Sequence, residues 1–261
     1  MFGVYFLSYL TKVGGMRILV FSDIHGNYEA LKAVLKAASN EGYDSIYCLG
    51  DLVGYGPRPD ECVSKIRELP NLTCVMGNHD AAVSGYISIE SFNQDAQESV
   101  RWVVDRLQPE NLLYLNHLPD LLVKDECTVT HGSPRNPIWE YILDSYTARM
   151  NYEFFETQFC FIGHSHQPII FKYGINDGIL PTWSIPIHGE KFEFTDERVI
   201  LNPGSVGQPR DRDPRASFGI FDDQSLTWTV HRIRYNIDKV QKDILEGGLP
   251  ERNALRLEDG W

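Results

Sequence analysis

A chain of 261 residues, 43% apolar and 12% aromatic, carries enough hydrophobic mass for one large domain or two small ones, and this excludes a disordered polymer. Its 24 basic residues against 36 acidic ones leave a formal charge of −12, which argues against broad nonspecific contact with nucleic acid. A local cation site stays open, because bound ions invert the field around them.

No run of about 18 apolar residues occurs, so a membrane span is not expected. The five cysteines, Cys48, Cys62, Cys74, Cys127 and Cys160, are scattered without a C-x-x-C pair. They read as small buried hydrophobes in a reducing, cytoplasmic compartment. Phe2 to Leu7 looks like a short signal-peptide core, but it lacks a basic start and a small-residue cleavage site. The first convincing strand begins after Met16, so residues 1–15 are expected to be a dispensable extension or a mis-annotated start. Residues 16–247 are then one domain and 248–261 a peripheral tail.

Arg17 to Phe21 reads as a buried strand that empties into Ser22-Asp23-Ile24-His25-Gly26-Asn27. Asn27 can cap a helix in which Leu31, Val34, Leu35 and Ala38 share one face, and Gly42 closes it. The next apolar run, Ser45 to Leu49, stops at Gly50-Asp51. This strand, helix, strand order predicts a right-handed parallel crossover with both loops at one sheet edge. A second unit follows, with a helix over Pro57 to Leu69 and a strand over Leu72 to Met76 that ends in Gly77-Asn78-His79-Asp80.

Asn93 to Leu107 carries Ala96, Val100, Val103 and Leu107 on one helical stripe, and Pro109 marks another helix start. Leu121 to Val123 and Cys127 to Val129 read as strands, the second ending at Thr130-His131-Gly132. A loop rich in Pro, Asn and aromatic residues leads to a helix around Ala148 to Phe155, then to a strand ending in Gly163-His164-Ser165-His166. From Pro168 onward, short strands separated by turns predict a second, mainly antiparallel sheet. Ile237, Val240, Ile244 and Leu245 mark a final amphipathic helix between Asn236 and Gly247-Gly248.

Five strands thus end in Asp23-x-His25, Gly50-Asp51, Gly77-Asn78-His79-Asp80, His131-Gly132 and Gly163-His164-x-His166, and these loops hold five of the eight histidines. Oxygen and imidazole donors without sulfur suit Mn, Fe, Zn, Ni or Co. The ordered set resembles the calcineurin-like metallophosphoesterase superfamily. The resemblance implies an α/β fold of two mixed β-sheets packed face to face with helices outside, a four-layer αββα sandwich. It implies one divalent metal on Asp23, His25, Asp51 and His166, and a second on Asp51, Asn78, His131 and His164, with Asp51 bridging. It further implies that a metal-bridging hydroxide attacks a phosphomonoester, phosphodiester or phosphoanhydride, and that His79 donates a proton to the leaving oxygen or stabilises phosphoryl charge.

Protein serine/threonine phosphatases of this superfamily carry an Asp-Arg pair where this chain has Gly54-Tyr55, which argues against that activity. Phosphate-binding cations are sought instead at Arg210, which closes the stretch Asn202-Pro203-Gly204-Ser205-Val206-Gly207-Gln208-Pro209-Arg210, and at Arg135. That stretch resembles bacterial and archaeal members related to diadenosine tetraphosphatases. The expected partner is therefore a small phosphate ester or nucleotide, with Trp139, Tyr141 and Tyr146 available to stack on a base. A non-catalytic scaffold on the same fold, as in retromer, is the competing class; the full ligand set and His79 argue against it. A nuclease fits the acidic charge poorly.

Overall fold

The structure is a computed structural model that describes residues 15–174 and 178–261. The expectation for the first fifteen residues falls outside that range, apart from Gly15.

Strand β1 (Arg17–Phe21) is apolar at nearly every position because both of its faces are buried. Leu19 and Phe21 pack against helices, while Ile18 and Val20 face the opposing sheet. Helix α1 (Tyr28–Glu41) begins where the Asn27 side chain accepts the Ala30 N–H and closes at Gly42. It returns the chain to β2 (Ser45–Cys48), parallel to β1. Helix α2 (Pro59–Arg67) then leads to β3 (Leu72–Cys74), parallel to β2, and the short helix α3 (Asn78–Val83) follows at once. Helices α4 (Gln94–Val104) and α5 (Pro109–Asn116) complete one outer layer.

Strands β4 (Leu121–Lys124) and β5 (Cys127–Thr130) form a hairpin, and β6 (Phe159–Phe161) lies parallel to β5. Between them, α6 (Ser145–Asn151) starts earlier than its apolar pattern predicts, because Asp144 caps it by accepting the Thr147 N–H. It also ends earlier, so Tyr152 and Phe155 are buried from outside the helix.

The late strands are β7 (Pro168–Tyr173), β8 (Thr182–Ser184), β9 (Lys191–Glu193), β10 (Arg198–Pro203), β11 (Ala216–Asp222) and β12 (Thr227–Ile233). They do not form the separate antiparallel sheet expected of them. They are shared between two mixed sheets of six strands, ordered β3-β2-β1-β11-β12-β9 and β4-β5-β6-β10-β7-β8. The reason lies in β10 and β11, which are buried along almost their whole length and therefore need a neighbour on each edge and cover on each face. Inserted beside β6 and β1, they obtain both.

Between the sheets, Val20, Tyr47, Val129, Phe161, Leu201, Phe221 and Trp228 form the central core. One outer face of the sandwich carries α1, α2 and α4, and the other carries α6. The expected four layers are present.

Past the final predicted helix, α7 (Ile237–Glu246), the segment expected to be a peripheral tail forms helix α8 (Glu251–Asp259). Ala254 and Leu257 pack with Val240 and Ile244 of α7. The buried Asn253 amide donates to the Tyr55 carbonyl and the Ser99 hydroxyl. Arg252 and Arg256, with exposed Leu255, hide this apolar stripe within a polar sequence. Leu257→Ala is expected to destabilise the fold by about 2–5 kcal/mol in urea denaturation, as for other buried leucines. A change below ~0.5 kcal/mol would return the segment to the periphery.

Candidate metal centre

Strands β1, β2, β3, β5 and β6 end at one rim, and the residue types that follow each strand decide what gathers there. Asp23, His25, Asp51, His164 and His166 all have φ between +48° and +64°, a conformation that costs a non-glycine residue about 1–3 kcal/mol. The loops are held in it by each other: Asp23 N–H donates to Gly50 O, His25 N–H to Asp51 O and Gly163 N–H to His131 O. A Cβ on Gly77 would strike the Asp51 carboxylate, so only glycine permits the close approach of the second and third loops.

Each carboxylate spends one oxygen on the main chain and turns the other inward. Asp23 Oδ2 accepts the His164 N–H at 3.2 Å, while Oδ1 lies 3.3 Å from His166 Nε2 and 3.9 Å from His25 Nε2. Asp51 Oδ1 accepts the His79 N–H at 2.8 Å, while Oδ2 lies 3.5 Å from His25 Nε2 and 3.4 Å from His131 Nε2. The imidazoles are oriented by carbonyls. His25 Nδ1 meets Val53 O, His131 Nδ1 meets Leu49 O and His166 Nδ1 meets Gln208 O, which selects the tautomer whose Nε2 lone pair points into the centre. His164 presents Nδ1 instead, 3.1 Å from His131 Nε2, and Asn78 Oδ1 lies 3.1 Å from the same nitrogen.

The donors form two groups, Asp23, His25, Asp51 and His166, and Asp51, His131 and His164, with ligand atoms in each within 4.8 Å of one another. Asn78 adjoins the second. All seven sequence-predicted ligands therefore meet at one place. Two observations test the fit of cations. Asp23 Oδ1 is buried and accepts no hydrogen bond, and the Nε2 atoms of His25 and His166, each set as an acceptor, face each other at 3.1 Å. Inward lone pairs with too few protons between them are the signature of a cation site, and the groups suit a dinuclear metal centre.

Asp80, legible in the sequence only as a turn or cap residue, joins the loops. Its carboxylate accepts the N–H groups of Leu52, Val53 and Gly77, and so ties the segment after Asp51 to the segment before Asn78. The 202–210 stretch also holds these loops, through both side chains and main chain. Ser205 Oγ donates to Asp23 O, Val206 N–H to Ser22 O and Gly207 N–H to Asp23 O, while Asn202 holds Gly163 O and Ser165.

Above the donors lies a cavity of about 100 Å³ lined by Asp51, Tyr55, Asn78, His79, Phe92, Trp139, Tyr141, His164, His166 and Arg210. Tyr55, whose ring lies 4.8 Å from His25 and 4.6 Å from His79, and Phe92, 4.9 Å from His79, are wall residues that no motif signalled. Tyr141 stacks on His164 at 3.8 Å, and Trp139 meets Phe92. Arg210 lines the cavity and donates to Gln208 Oε1, whereas Arg135 is engaged by Glu140 and Tyr146 is exposed. His79 Nδ1 has no hydrogen-bond partner and abuts Gly54, where any Cβ would collide with it.

Burial pushes the Asp23 carboxyl up to about 7 and His79 down to about 4. For His131, burial opposes the charge, but Asp51 outweighs it and raises the ring to about 9. Burial also disfavours Asp51 ionisation, and His131 and His79 overcome it, so its pKa falls.

At pH 7.5 the metal-free chain thus carries a second proton on His131, on the Nε2 that would otherwise present its lone pair to the centre, and a metal ion must displace it. Calorimetric titration with Mn(II) in buffers of different ionisation enthalpy is expected to show release of about one proton, with affinity rising toward pH 9. Release of none would mean that His131 is already neutral. Asp80→Asn leaves every proposed ligand in place but turns an amide N–H₂ or a weaker acceptor toward three main-chain donors. It is expected to weaken metal affinity by about 10–100-fold, and an unchanged affinity in the same titration would detach Asp80 from the centre.

An uncharacterised protein of Methanocaldococcus jannaschii is 38% identical over 247 residues, covering 92% of this chain and 96% of that one. The crystal structure of a metallophosphoesterase from Sphaerobacter thermophilus superposes with a TM-score of 0.85 at 44% identity, covering 95% of this chain and 100% of that chain. A symmetrical bis(5′-nucleosyl)-tetraphosphatase of Histophilus somni is 32% identical over 130 residues, 48% of this chain and 47% of that one. The calcineurin-like phosphoesterase superfamily domain matches residues 16–225, a span that holds all five ligand loops, and the chain belongs to that superfamily.

Proposed function

We propose that the chain is a dinuclear-metal-dependent hydrolase that cleaves a phosphomonoester, phosphodiester or phosphoanhydride, with a nucleotide as the favoured substrate class. The observation that carries this reading is the pair of donor groups sharing Asp51 beneath a cavity walled by His79 and Arg210. Two divalent ions, manganese first and iron, zinc, nickel or cobalt after it, would supply Lewis-acid polarisation of the phosphoryl group and an activated water.

Asp23, His25, Asp51 and His166 would hold one ion, and Asp51, Asn78, His131 and His164 the other. Arg210 donates one N–H to Gln208 Oε1 and contacts Tyr141, while its buried Nε–H has no partner and is available for a phosphoryl oxygen. His79 is neutral until an anion lies beside it. The charge of a bound phosphoryl group raises its pKa and lets it carry the proton that the leaving oxygen receives. A space of about 100 Å³ is smaller than the usual pocket for a whole ligand, so it takes the reacting group and leaves the remainder outside, against Trp139 and Tyr141. That division, together with the name of the tetraphosphatase relative, supports a nucleotide. Cys48, Cys62, Cys74 and Cys160, buried and outside any disulfide, support a reducing compartment, the cytoplasm.

The test is hydrolysis of a chromogenic phosphodiester and of dinucleoside polyphosphates by the Mn-reconstituted chain. Asp51→Asn is expected to abolish turnover and metal content together. His79→Ala is expected to keep the metal and lower kcat by about 10²–10⁴-fold. Full activity in both variants, with metal content measured, would overturn the reading.

A further inference from the structure

The side of the sandwich formed by β8 and the segment after it is unlike the rest of the surface. Residues 178–189 contain no Asp, Glu, Lys or Arg, in a chain that is 23% charged. Within them Trp183, Ile185 and Ile187 are 57%, 59% and 70% exposed, while the intervening Pro186 is buried, so the three project from one face of an extended segment. Ile179 and Leu180 are exposed beside them. These fractions correspond to roughly 600 Å² of accessible side chain, at the top of the range for a monomer patch and near the ~800 Å² that each partner gives a stable interface.

Strand β8 pairs with β7 through Ile170 opposite Ser184, Phe171 opposite Trp183 and Lys172 opposite Thr182. It ends its sheet, with no described strand on its other side. The next segment crosses to the other sheet, where Gly189 N–H donates to Val230 O and Arg232 N–H to His188. Nothing in that course covers the stripe.

We propose that this face joins two copies of the chain, with β8 of one copy pairing antiparallel to β8 of the other across a two-fold axis near Trp183. Two observations select a second copy. A neutral stripe offers an acidic or basic partner nothing to pair with, yet it matches itself. An unpaired edge strand that continues an internal sheet satisfies its free N–H and C=O groups against its own symmetry mate.

The experiment is light scattering and sedimentation of the full chain over a concentration series, with Trp183→Ser and Ile187→Lys and with vesicles of phosphatidylcholine as a control. A wild-type dimer is expected, with each variant raising its dissociation constant by about 30-fold or more while thermal melting stays near wild type. A wild-type monomer throughout, a dimer that both variants leave intact, or a monomer that adsorbs to the vesicles through this segment would each overturn the proposal. So would loss of the fold in both variants, because it would place these side chains in the monomer's own packing. The readout does not depend on catalysis.

Discussion

Two carboxylates and four imidazoles turn their lone pairs toward one another in a buried space, and every other feature of the rim serves to hold them there. Left to itself such a cluster would disperse, since burial disfavours the carboxylate charges and acceptor faces acceptor. Three devices prevent this. Main-chain carbonyls take the outward proton of His25, His131 and His166, main-chain N–H groups take one oxygen of each aspartate, and crossed loop hydrogen bonds lock five donors in left-handed backbone. The protein therefore invests local strain in a preorganised set of donors, and the apolar packing of the two sheets beneath supplies the stability that tolerates it.

Chemistry and recognition are divided between depths. The donors lie at the floor, fixed by Asp80 and by the 202–208 segment. Above them the small cavity presents one guanidinium and one unligated imidazole, walled by aromatic rings together with Ser91 and Asn93. Arg210 approaches the site because its backbone N–H bonds to His166 O, so the same segment that orients a donor histidine also delivers the cation. In the position where related protein phosphatases carry an Asp-Arg pair, Gly54 and Tyr55 instead pack against His79. The aromatic contact of Tyr55 with His79 and His25 replaces an ionic one.

The apolar stripe at β8 lies three strands from β6, whose end supplies His164 and His166, and it shares no residue with the cavity. Association at that edge extends a sheet sideways and leaves the rim open. The candidate donors at strand ends and the proposed contact at a strand edge use different directions of the same sheet.

The metal-donor set was readable from sequence because each donor follows directly on an apolar strand, and a strand's end is a local property. Short-range patterns located Asp51, Asn78, His131 and the rest at strand ends, and the resemblance of the ordered set to a superfamily named them as candidate metal donors. The helix caps at Asn27 and Asn236 were readable for the same reason. What tertiary structure alone decided are matters of partnership between distant segments. These include which sheet each late strand joins, that Asp80 clamps two loops, that the Gln208 carbonyl sets the His166 tautomer, and that Tyr55 and Phe92 wall the cavity. They also include the burial of α8, whose apolar face is defined by α7 and Trp102 packed against it. Backbone carbonyls carry no sequence signature, and a strand's neighbours depend on burial summed over both faces, so neither can be read one segment at a time.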